Sequence, residues 1–138
     1  MLLWSLRAAG VTILALAALY PVYPKWFRWA EQLQRVDLLT RQVFWVHIGF
    51  IVLLLVLQGV LLTFFPQILL EPGRAATALM VAMLAFWVYR LVAQLFIYDP
   101  DLWRGNPTHF AVHIAFTLLW LGISALLGWA LAIQLSRT

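Results

Sequence analysis

The chain has 138 residues, 65% of them hydrophobic and 10% charged, with a formal net charge of +4 and no cysteine. That balance excludes a soluble globular domain, and the missing thiols exclude disulfides, thiolate metal centres, iron–sulfur clusters and cysteine nucleophiles. The basic residues lie mostly on short connections, which argues for membrane topology and lipid headgroups and against nucleic acid as a partner.

Four uninterrupted apolar stretches predict spans over 2–20, 43–65, 75–98 and 108–133, each near the roughly 17–25 residues that cross hydrocarbon. Consecutive apolar positions such as Ile51–Leu57 lack the alternation of a barrel strand, which leaves helices to satisfy the backbone. The expected fold is all-α: an integral membrane four-helix antiparallel bundle, one transmembrane domain over 1–138, with a short amphipathic interfacial helix in the first loop. Its partners are the lipid bilayer and other membrane protein subunits.

The first span carries Arg7 ahead of Val11–Ala18, an order that imitates a signal peptide, and it is read as a retained helix. In the loop that follows, Trp26, Trp29, Leu33 and Val36 recur at helical spacing with Lys25, Arg28, Gln32 and Arg35 largely between them. This pattern predicts tryptophans at headgroup depth and cations at the phosphates. On the second span His47 stands next to Gly49, where an absent side chain leaves room for a bulky neighbour. Pro66 ends that span, and Glu71-Pro72-Gly73 supplies a turn.

On the third span Arg90, Gln94 and Tyr98 follow at i, i+4 and i+8, predicting a polar stripe on one helical face. Asp99-Pro100 and Asn106-Pro107 each read as an N-cap followed by proline at the first helical position. On the fourth span His109 and His113 are one turn apart, and Ser124 with Gly128 has the spacing of a small-residue contact.

Counting inward at ~1.5 Å per residue places His47 and His113 at a depth of roughly 9 Å, with Arg90 near the same level. Ionisable side chains inside a membrane are costly and therefore point to a site. Two imidazoles from facing helices can ligate a haem iron while an arginine pairs with a propionate. A quinone needs only hydrogen-bond donors within an aromatic wall.

The expected cofactor-binding set is therefore His47, Arg90, His113, Gln94 and Tyr98, for haem b or a quinone. A metal ion held by His47, His109 and His113 is the variant that uses imidazole alone. Against both stand ordinary roles: Arg90 snorkelling toward headgroups, His109 at the interface, and His47 and His113 satisfied by Gln94, Thr117 or backbone.

The leading functional expectation is a small membrane subunit carrying this redox cofactor within a larger assembly. A non-catalytic accessory subunit is the alternative, and a lipid-modifying enzyme using His113 as base and Arg90 to hold a phosphate is a third. Five basic residues on loops 25–42 and 99–107 against Arg7, Arg74 and Arg137 on the opposite side place those loops in the cytoplasm and the termini outside, in a bacterial inner membrane.

Overall fold

The computed structural model describes residues 1–137 and contains only helices, turns and loops among them. The membrane-length helices are α1 (Leu2–Leu19), α4 (Leu38–Phe64), α6 (Arg74–Val92) and α7 (Pro107–Leu135). Helix α6 continues through a single π turn, so its apolar segment runs from Arg74 to Ile97. All four are long and apolar enough to cross a bilayer, and the all-α membrane class stands. At most 28% of any span's apolar window is buried within the chain, which leaves most side chains facing outward, as a lipid solvent permits.

Two span boundaries move for local reasons. Helix α4 begins five residues before the apolar stretch because the Asp37 carboxylate accepts hydrogen bonds from Thr40 N–H (3.0 Å) and Thr40 Oγ1 (2.6 Å). An N-cap satisfies amides that would otherwise be orphaned, so polar residues become helical ahead of the membrane. At α7 the Asn106 side chain accepts from Thr108 N–H and His109 N–H, with Pro107 at the first position, as the Asn-Pro pair predicts.

The first loop departs from a continuous interfacial helix. It consists of two single turns, α2 (Tyr23–Trp26) and α3 (Trp29–Gln32), followed by a 3-10 turn at Leu33–Arg35. The break is Arg28, whose φ of 52° is left-handed and costs a non-glycine residue roughly 1–2 kcal/mol. A short helix α5 (Pro66–Leu70) follows α4.

The chain forms two compact helical units that divide between Pro66 and Gln67. In the first, α1 meets α4 at two glycines: a Cβ on Gly10 would lie 2.5 Å from Thr63 Oγ1 and 2.9 Å from Gly59 O, and one on Gly59 would lie 2.7 Å from Leu14 Cγ. Close backbone approach of this kind gives membrane helices their van der Waals packing. The small residues that do this work are Gly10 and Gly59, whereas a Cβ placed on Gly128 or Gly49 would meet nothing within 4 Å. Neither the Ser124/Gly128 spacing nor the gap beside His47 marks a close contact.

In the second unit α6 and α7 pack as an antiparallel hairpin. Gln134, fully buried, donates to Glu71 O at 2.9 Å and accepts from Thr77 Oγ1 at 3.4 Å, tying one end. Midway, Trp87 stacks on Trp120 and Trp120 on Phe116, with centroids 5.3 and 5.4 Å apart. The loop end of this hairpin carries the polar cluster.

Candidate functional site

Near its end α6 widens. Tyr98 N–H donates to Ala93 O at 3.2 Å, five residues back, closing the π turn Ala93–Ile97. The extra residue per turn rotates the segment, and π turns recur at functional sites. Gln94 lies within this turn, is only 6% exposed, and sets its side-chain nitrogen 2.8 Å from His113 Nδ1 on α7. With the amide N–H donating, Nδ1 is the acceptor and the ring proton resides on Nε2.

The His113 imidazole has a second neighbour that the sequence pattern does not reveal. Trp103 stacks on it with ring centroids 3.8 Å apart and planes 18° from parallel. Trp103 reaches this position because the loop is built: Asp99 accepts from Asp101 N–H, Pro100–Leu102 form a 3-10 turn, Asp101 pairs with Arg104 at 3.2 Å, and Gly105 turns the chain at φ 77°. Beside it lies an open depression of about 590 Å³ lined by Pro100, Trp103, Arg104, Asn106, Pro107 and Phe110.

Arg90 lies one helical turn from Gln94 toward the middle of α6. Its guanidinium carbon is 5.1 Å from the Trp120 ring centroid and 5.6 Å from that of Tyr98. The charge is thus held by two aromatic faces through cation–π attraction, and among the described residues no carboxylate or hydrogen-bond acceptor meets its N–H edges. Trp120 is also buried with its indole N–H unpartnered, as is the Ser124 hydroxyl one turn further along α7.

Of the expected cofactor set, the structure therefore gathers Gln94 with His113, and Arg90 with Tyr98. Arg90 and Tyr98 thus lie against each other across the π turn. His109 turns elsewhere: it is exposed, and its Nδ1 is 3.2 Å from Leu102 O. His47, in the first unit, is exposed and bonds through Nδ1 to Val43 O at 2.8 Å in its own helix. No group of three His, Asp or Glu side chains gathers at metal-binding spacing among the described residues.

Trp103 and Trp120 are the site residues that sequence reasoning missed. Trp103 lies ten residues before His113 in a loop, outside any helical periodicity. Trp120 could have been found, since it falls seven residues after His113 and so shares its face of α7. Comparison with protein-family models, with curated proteins and with solved structures finds no match to this chain.

Proposed function

We propose that the chain is a small integral membrane subunit whose α6–α7 hairpin binds the carbonyl headgroup of a membrane quinone, within a larger membrane assembly. One observation carries this reading: the cluster gathers several hydrogen-bond donors, and one of them, Trp120 Nε1–H, is buried without a partner. His113 Nε2–H, the Arg90 N–H edges, Trp120 Nε1–H and the Tyr98 hydroxyl can all donate, while Asp101 is engaged by Arg104 and Asp99 by the Asp101 amide. Donors without acceptors in an apolar setting call for an acceptor ligand, and two carbonyl oxygens on a planar ring supply that chemistry. Arginine between aromatic faces would favour the negative charge that a quinone acquires on reduction, and stacked rings suit a planar headgroup.

Haem b is a second reading, favoured by His47. Its Nδ1–H donates to Val43 O, which leaves Nε2 with the free lone pair that a metal ligand needs. The charge distribution on the loops supports a cytoplasmic position for 25–42 and 99–107 in a bacterial inner membrane. The absence of cysteine makes single-cysteine labelling a clean test of that orientation.

The deciding experiment is gentle purification followed by solvent extraction and visible spectroscopy. Stoichiometric quinone, lost in His113→Leu, supports the first reading. A Soret band lost in His47→Leu supports the second. Folded protein that is colourless, carries no quinone and takes up no added short-chain quinone overturns both, and leaves the accessory role with its co-purifying partner subunits.

A further inference from the structure

The left-handed break at Arg28 does more than interrupt a helix. In a continuous helix residues 27 and 29 point to different sides, yet here the Phe27 and Trp29 rings lie 6.0 Å apart and 17° from parallel. The break thereby completes an aromatic ladder. Tyr20 meets Tyr23 at 5.3 Å, Tyr23 meets Phe27 at 6.3 Å, Trp26 stacks on Phe27, and Trp29 meets Phe44 edge-on at 5.3 Å. It runs from the end of α1 to the second turn of α4, and Trp26 stays 77% exposed.

Aromatic rings at the ends of two membrane helices mark headgroup depth. The charges along this ladder are unbalanced in a specific way. Both acids of the segment are engaged internally, Glu31 by Arg28 and Asp37 by the Thr40 amide and hydroxyl. Lys25, Arg35 and Arg41 have no anionic partner among the described residues.

We propose that this surface is a binding site for anionic phospholipid: the ladder fixes the segment at the acyl–headgroup boundary, and Lys25, Arg35 and Arg41 hold the phosphates of the leaflet. Charge complementarity selects the occupant. A protein partner would have to bring acidic groups to a belt whose rings already lie at lipid depth, whereas an anionic headgroup is present there at high local concentration.

The test uses the protein reconstituted in phosphatidylcholine vesicles containing about 20–30% phosphatidylglycerol, which gives the surface a negative potential. Spin-labelled phosphatidylglycerol and phosphatidylcholine report which lipid occupies the protein boundary. The wild type should prefer phosphatidylglycerol by about threefold, the preference should shrink as salt rises, and K25Q/R35Q/R41Q should bring it close to parity. R74Q, outside the segment, should keep it. Should the triple variant fail to insert, R35Q alone and the salt titration carry the test, each with a partial loss expected. Equal association of both lipids with the wild type, or a preference untouched by these variants, overturns the proposal. So does displacement of lipid by inorganic phosphate beyond that by chloride of equal ionic strength, since the site would then serve free phosphate.

Discussion

Gln94 and His113 meet across the α6–α7 hairpin at 2.8 Å, and Gln94 makes this contact from within a π turn. Gln94 is buried, so losing this hydrogen bond leaves a polar amide without a partner at the hairpin end. Gln94→Leu should therefore lower stability by about 1 kcal/mol, a typical value for one interhelical hydrogen bond. Unfolding in mixed micelles measures it, and an unchanged midpoint would show that the contact contributes nothing.

The Trp103 ring covers one face of His113. Trp103→Ala should expose the imidazole, and its modification by diethyl pyrocarbonate, located by peptide mapping, should accelerate several-fold. Modification of His109, which is already exposed, should hold steady and serves as the internal reference.

Arg90 separates charge from shape. Arg90→Lys keeps the cation but loses the plane that stacks between Tyr98 and Trp120. Under the quinone reading its affinity for a short-chain quinone should fall about tenfold, close to one charge-assisted hydrogen bond. Circular dichroism should stay that of the parent. Equal affinity in the lysine variant would remove Arg90 from the site.

Two glycine variants should diverge. Gly10→Ala forces a Cβ against Thr63 and the Gly59 carbonyl and should cost about 1–3 kcal/mol through overpacking. Gly49→Ala meets nothing within 4 Å and should be neutral or stabilising by up to about 1 kcal/mol, because it removes helix-interior glycine. Thermal denaturation of both in one detergent gives the comparison.

The Thr40 hydroxyl and amide hold the Asp37 carboxyl below its ordinary value of 3.8. A depressed folded-state pKa means that the cap stabilises α4 fully above the ordinary value and is lost as pH falls through the lower one. Exchange protection of the Thr40 amide should thus be steady at neutral pH and fade only in strong acid. In Asp37→Ala it should be weak at every pH.

The four spans were legible because each is a long apolar run, and in lipid such a run has no alternative to helix. The Asn106-Pro107 cap was legible as well, since an N-cap is a local pattern, whereas the i, i+4, i+8 spacing of Arg90, Gln94 and Tyr98 assumes a regular helix and a π turn lies across it. The first loop is helical, as the spacing of Trp26, Trp29 and Leu33 predicts, but in separate turns and not one run. Arg28 entered the left-handed region instead, and ring stacking among neighbours accompanies that local cost.

Residue order alone thus determined the class of solvent and the number of membrane-length apolar helices, because those follow from transfer energies summed along the chain. Only the tertiary structure decided that Trp103 folds back onto His113, that Trp120 shares Arg90 with Tyr98, and that α1 meets α4 at Gly10 and Gly59. Such contacts depend on the relative rotation of packed helices and on a loop's path through space, and neither quantity has a period that a one-dimensional pattern can carry.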